Sequence, residues 1–140
     1  MRYMLDTCTF LYLANDYDLL DKEVIDILHN PENVLCISAE TGRELVIGFN
    51  NHKFSSAKWK TSNDVIRSIE DQFGIQILPI DKHVIDTYSK LTLNLGQNHK
   101  DPSDHIIISH AITTKMPLIT SDRKFTYYTK QGLELILNKR

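Results

Sequence analysis

The first fourteen residues, MRYMLDTCTFLYLA (1–14), decide the fold class. Tyr3-Met4-Leu5 is a short apolar run that Asp6 ends. Phe10, Leu11, Leu13 and Ala14 then follow at helical spacing over 7–14. A buried strand that gives way to a helix through one acidic residue opens a strand–helix unit, and the pattern repeats along the chain. Residues 20–29 carry Val24, Ile25, Ile27 and Leu28 on a second helix, and Asn30-Pro31-Glu32-Asn33 is a turn. Val34-Leu35-Cys36-Ile37 is a second buried strand, and Ser38 caps a helix over 39–49. A polar connection over 50–60 leads to an amphipathic helix over 61–73 that Gly74 stops. Residues 75–80 form a third strand, with Pro79 marking a sheet edge or strand end. Asp81 caps a helix over 82–94 that Gly96 closes, and 97–100 is a loop. Asp101-Pro102 begins a helix running to about Lys115, 118–120 is a fourth strand, 123–130 a short helix and 133–137 a last strand. This alternation predicts an α/β architecture: a central parallel sheet of about four to five strands flanked by helices, in a single domain over 1–140.

With 140 residues of which 41% are hydrophobic, the chain can bury one substantial core. The formal charge of −2 shows no basic excess of the kind that accompanies nucleic-acid binding. Two bound divalent ions, adding four positive charges, would bring it to +2, so an RNA substrate stays compatible with the composition. Cys8 and Cys36 fit no zinc spacing and read as reduced core thiols. There is no signal-peptide pattern and no apolar stretch near the ~18 residues of a membrane span, so a cytoplasmic protein with no membrane association is expected.

Four acids stand where a buried-strand protein has little structural use for them: Asp6, Glu44, Asp104 and Asp122. Carboxylates against core segments cost free energy unless a cation satisfies them, and a hard divalent metal prefers oxygen ligands. In open α/β sheets ligands bind beyond the carboxyl ends of the strands, which is where Asp6 and Asp122 lie; Glu44 and Asp104 sit on helices at the same rim. Each acid has a structural alternative. Asp6 and Asp122 suit helix N-caps, and Glu44 suits a solvated helix face paired with Arg43 or a nearby lysine. Asp104 stands where a capping-box acid would, after Asp101-Pro102. Glu40 competes with Glu44 from one turn earlier but is explained by the helix N-terminus. Thr7, Thr120 and Ser121 are candidate hydroxyls around the acids. Lys58, Trp59 and Lys60, with Lys53 and Phe54, form a basic-aromatic loop that either contacts RNA or packs on the core. Leu11, Leu13 and Phe49 are a candidate apolar surface. His105 and His110 do not share a helical face, which argues against a zinc hydrolase.

In sequence order, MLDTCTFLYLA (4–14), SAETGRE (38–44), DPSDHII (101–107) and LITSDRKF (118–125) resemble the motifs of the PIN-domain family, specifically its VapC-type toxins. The resemblance runs over nearly the whole chain. It implies a PIN-like (Rossmann-like) sheet and favours Glu44 over Glu40. It also implies a Mg²⁺- or Mn²⁺-dependent endoribonuclease with Asp6, Glu44, Asp104 and Asp122 as its catalytic acids. Asp6 and Asp104 are then the central metal ligands, with Asp122 and Glu44 completing or orienting the site. The further implications are an RNA substrate, a homodimer, and a cognate antitoxin of a type II toxin–antitoxin pair. Ser103 replaces the family's aromatic and His105 a common Arg, which makes His105 a candidate for phosphate or partner contact. Two other readings stay open: a non-catalytic PIN fold that binds RNA or protein, and a receiver-like signalling module. The latter needs an acidic pair after strand one and a phosphoacceptor after strand three, whereas only Asp6 and the cap-like Asp81 are found.

Overall fold

Five parallel strands form one sheet; numbered along the chain, they lie side by side in the order third, second, first, fourth, fifth. The computed structural model describes residues 1–95 and 99–139. The elements are β1 (Arg2–Leu5), α1 (Thr7–Asn15), α2 (Lys22–His29), β2 (Val34–Ser38), α3 (Ala39–Asn50), α4 (Ser62–Asp71), β3 (Gln76–Leu78), α5 (Lys82–Lys90), α6 (Pro102–Thr114), β4 (Leu118–Thr120) and β5 (Leu135–Leu137). A 3₁₀ turn spans Tyr17–Leu19, and the predicted short helix after β4 is a 3₁₀ segment over Arg123–Gln131.

Alternation along the strands divides the core between the two faces of the sheet. Tyr3, Leu5, Leu35, Ile37 and Ile119 point to one side, where Phe10, Val24, Leu45, Trp59, Val65 and Ile69 cover them. Met4, Cys36 and Leu118 point to the other, against Ile107, Ile108, Ala111, Phe125 and Tyr128. Both faces are covered, so the strands read as continuous apolar runs rather than alternating ones. Leu11, Leu13 and Phe49 pack half-buried against the first cluster and do not form a free apolar surface. Among the described residues no helix is long and apolar enough to cross a membrane.

The local signals act where the sequence places them. The side chains of Asp6, Asp21, Ser38, Thr61, Asp81 and Asp101 each accept an N–H at the start of the helix that follows. Gly74 takes a positive φ of 63° just beyond α4. β3 is an edge strand and ends before Pro79. One boundary is corrected: the helix predicted over 82–94 stops at Lys90. The carboxamide of Gln131 takes both backbone groups of Thr92, donating to its carbonyl and accepting its N–H, each at 2.9 Å. Asn94 sends its own N–H to the Tyr128 hydroxyl. Two distant side chains thus hold backbone groups that a helix would have used. The proposed closure at Gly96 lies outside the described residues.

Candidate metal centre

β1 occupies the middle of the sheet. From it the chain proceeds through β2 and β3 to one side, while β4 and β5 fill the other. The crevice where strand order reverses therefore opens at the carboxyl ends of β1 and β4. Asp6 is the first residue after β1 and Asp122 the second after β4. Glu44 lies on α3, which leaves β2, and Asp104 in the first turn of α6, which leads into β4.

Asp6 is 6% exposed. Its Oδ1 accepts the Thr9 N–H at 2.9 Å and its Oδ2 the Thr120 hydroxyl. Its backbone N–H donates to Ile119 at 3.2 Å, and Thr9 Oγ1 donates to the same carbonyl at 3.0 Å, which ties the β1 exit to β4. Thr120 Oγ1 also accepts the Asp122 N–H at 3.0 Å. A single hydroxyl thus sets the spacing of two acids. Asp122 caps the 3₁₀ segment through Lys124 N–H at 2.9 Å. Glu44 Oε1 accepts from Thr7 Oγ1 at 2.6 Å. Asp104 takes no part in capping; Asp101 performs that task by accepting Ser103 N–H. The Asp104 side chain turns instead to His99, whose Nε2 lies 3.1 Å from Oδ2.

The electrostatics show what the cluster lacks. Burial raises the Asp6 carboxyl above its usual range against the hydrogen bonds that lower it, with Asp122 adding to the rise. Burial likewise raises Glu44, with Asp101, Glu40 and Asp6 adding charge repulsion. Asp104 is pushed from 3.8 to about 8, first by burial and then by Asp101, Glu44, Asp6 and Asp122. Cys8 keeps an exposed edge, yet desolvation of its thiol and then the charges of Asp6, Asp104, Glu44 and Asp122 push it to about 11. One thiol thus senses all four acids. Among the described residues the side chain paired with this cluster is the His99 imidazole, against Asp104; burial and then His105 lower its pKa, which disfavours the charged ring. One ligand atom each from His99, Asp104 and Asp122 lies within 4.8 Å of the others. Two carboxylates this close, beside Asp6 and Glu44 and with no lysine or arginine paired to them among the described residues, fit a divalent cation.

A PIN domain family model matches residues 3–131. The chain belongs to the PIN-domain family. The PIN domain also shares its fold with three solved toxin–antitoxin structures. VapBC2 from Rickettsia felis, bound to a DNA fragment from its promoter, is 22% identical with a TM-score of 0.72, covering 98% of each chain. VapBC-1 from nontypeable Haemophilus influenzae is 23% identical with a TM-score of 0.71 over 100% of both chains. DNA-bound VapBC from Salmonella typhimurium is 20% identical with a TM-score of 0.68 over 97% of each. No curated protein sequence matches.

Most, but not all, of the sequence-derived site residues of this PIN domain come together. Asp104 and Asp122 offer carboxylate oxygens within 4.8 Å of each other, while Asp6 and Glu44 border the same crevice outside that group, close enough to raise Asp104, with Thr7 on Glu44 and Thr120 on Asp6. Ser121 does not join them; its Oγ accepts from Asn138 Nδ2 at 2.9 Å, on the side of the C-terminal strand. Trp59 is a core residue, 5% exposed, stacked edge-on against Phe54 and donating Nε1–H to Ser68. That leaves exposed Lys58 and Lys60 as the loop's available contacts. His105 is 1% exposed and donates Nε2–H to the His99 carbonyl at 3.0 Å, so it is no surface contact for phosphate or partner. Arg43 pairs with Glu40 rather than Glu44. The residues that sequence reasoning missed are His99 and Tyr128. His99 falls in a polar loop and Tyr128 in a weakly helical segment, with no spacing that links them to each other or to Asp104.

Proposed function

We propose that this PIN domain is a Mg²⁺- or Mn²⁺-dependent endoribonuclease acting as the toxin of a type II toxin–antitoxin pair. The observation that carries the reading is the set of four carboxylates around one crevice, none of them in a salt bridge with a lysine or arginine among the described residues. A module that only bound RNA or protein has no use for such a charge. The receiver-like alternative is disfavoured because Asp81 spends its carboxylate on capping α5 through His83 and Val84 N–H.

Asp6, Asp104 and Asp122 would hold the metal, and Glu44 would complete the site beside them. When bound, the divalent ion supplies a water of lowered pKa and positive charge at the scissile phosphodiester. The chain's own groups preorganise that site. Thr9 N–H and the Thr120 hydroxyl fix both oxygens of Asp6, Lys124 N–H fixes Asp122, and Thr7 turns Glu44 toward the crevice. A groove of about 510 Å³ runs alongside, lined in part by Thr7, Tyr12, Arg43, Glu44, Lys53 and Phe54. An RNA strand laid there meets the cations Arg43 and Lys53 and an aromatic face, with the scissile phosphate at Glu44 and Thr7. Lys58 and Lys60 add exposed positive charge on the same connection. A cognate antitoxin chain competes for this groove, and the toxin acts in the cytoplasm as a homodimer.

The test is RNA cleavage by pure protein with Mg²⁺ or Mn²⁺, abolished by chelation, set against Asp6→Asn. Cleavage should vanish in the variant while its circular dichroism is kept, and growth arrest on induced expression should be relieved. Undiminished cleavage by the variant would overturn the assignment.

A further inference from the structure

His99 enters the metal centre in a way its residue type alone would not suggest. The imidazole is 2% exposed and held on three sides, by His105, Phe125 and Tyr128, with ring centroids at 4.8, 5.5 and 5.4 Å. Its Nδ1 lies 2.8 Å from the Tyr128 hydroxyl and its Nε2 3.1 Å from Asp104 Oδ2. An imidazole so close to two acids invites reading it as a third ligand, since one atom from each of the three would reach a common ion.

The direction of the hydrogen bonds decides otherwise. The Asn94 N–H can only donate, and it donates to the Tyr128 oxygen at 3.1 Å. Tyr128 has one proton of its own. Among the described residues the acceptor within reach is His99 Nδ1. If Nδ1 carried the proton instead, the buried tyrosine oxygen would receive two donors and its own O–H would be left unpaired, at the cost of an unsatisfied buried polar group. Nδ1 is therefore an acceptor and Nε2 carries the hydrogen. A protonated ring nitrogen cannot ligate a metal, but it can donate to a carboxylate. The backbone around the ring is fixed as well: His105 Nε2–H holds the His99 carbonyl, and the Asn94 carbonyl accepts the His99 N–H at 3.1 Å.

We propose that His99 is a positioning residue: the one-way chain Asn94 N–H, Tyr128 O–H, His99 Nε2–H ends on Asp104 Oδ2 and aims that carboxylate's other oxygen at the metal. The inference rests on the metal-dependent reading of the site and adds to it the device that orients one ligand. It also gives Tyr128 and His105 a task in the site, one by fixing the tautomer and the other by anchoring the loop. Partners that orient metal ligands commonly matter by about 10–100-fold in metal affinity.

Two measurements on the full chain test it. In the metal-free protein, long-range ¹H–¹⁵N correlation of the histidine rings, with His99 assigned by comparison with His99→Gln, should show the Nε2–H tautomer; the Nδ1–H tautomer would overturn the chain. With Mn²⁺ as probe, electron spin echo spectra should lack directly bound ¹⁴N, and a ¹⁴N coupling lost in His99→Gln would make His99 a ligand and overturn the proposal. Mn²⁺ affinity should fall at least about 10-fold in His99→Leu and stay within about 3-fold in His99→Gln, whose amide can donate from the Nε2 position. Equal affinity of wild type and His99→Leu would also overturn it. Should wild type bind no Mn²⁺, the metal-dependent function fails, while the tautomer still decides the direction of the chain.

Discussion

Arg43 forks onto Glu40, not onto Glu44, although all three share one helix. Its Nε lies 3.0 Å from Oε1 and its Nη2 2.7 Å from Oε2, and the Ser103 hydroxyl donates to the same carboxylate. These contacts hold the Glu40 carboxyl below its ordinary value, with the Arg43 hydrogen bonds as the largest cause, whereas burial raises Glu44. Two glutamates one turn apart thus have opposite environments. One is neutralised and ties α3 to α6 through Ser103; the other is left to the crevice.

Glu40→Gln and Glu44→Gln should therefore separate stability from activity. Glu40→Gln breaks a partly buried charged pair and should cost about 1–3 kcal/mol in urea unfolding while keeping most RNA cleavage. Glu44→Gln should leave the unfolding midpoint unchanged or raised and lower cleavage by at least about 10²-fold. If Glu40→Gln is the inactive, stable variant, the assignment of the two is reversed.

The raised Asp104 pKa sets the pH dependence of the metal-free protein. In the fold this group titrates near 8, against an ordinary 3.8. Between these values the folded chain binds more protons than the unfolded one, so this contribution is full below about pH 4 and is lost as pH climbs through 8. The thermal midpoint of metal-free protein should fall from pH 5 to pH 8.5, and Asp104→Asn should flatten that slope. At pH 8 the variant should be more stable than metal-free wild type by on the order of 1–2 kcal/mol, allowing for the partial exposure of the group. Adding Mn²⁺ should stabilise wild type at pH 8 more than at pH 5, and should do little for the variant.

Trp59 and its flanking lysines should behave oppositely. Trp59→Ala empties a core position and should cost about 3–5 kcal/mol. Lys58→Glu with Lys60→Glu should stay within about 0.5 kcal/mol of wild type in stability, because both are exposed surface positions. The same pair should weaken RNA binding and make it less sensitive to salt, since phosphate contacts release counterions. Filter binding at two ionic strengths reads both effects.

Gly48 is where α3 lets the aromatic ring of Phe54 approach. A Cβ there would stand 2.8 Å from Phe54 Cε1, a contact that forces the ring to move. Phe54 packs against Phe49 and Trp59, so the shift would pass into the loop that borders the groove. Gly48→Ala should cost about 1 kcal/mol, the helix-propensity gain offsetting part of the overpacking. Trp59 fluorescence should report the displaced ring.

The sequence by itself determined the strand–helix alternation and the caps, because these depend on neighbours a few residues apart, and it put forward four candidate acids, Glu44 over Glu40 only through the family resemblance. Short apolar runs closed by Asp6, Ser38 and Thr120 place the strand ends, and the ends after Leu5 and Thr120 place Asp6 and Asp122. Contacts across the chain decided the rest. The helix after Asp81 ends early because Gln131 and Tyr128 take backbone groups of the segment that follows it, from 39 and 34 positions away. Trp59 stands open in the sequence between RNA contact and the core, and His105 reads as a surface contact; both are buried by packing that no local pattern encodes. Ser103, an apparent departure from the family motif, closes the Glu40–Arg43 pair. His99 carried no local signal at all; only the fold brings the Tyr128 hydroxyl to one nitrogen of its ring and Asp104 to the other. Local patterning can say which acids face the crevice, but the direction in which a hydrogen-bond chain runs is fixed only when every donor and acceptor around it is in place.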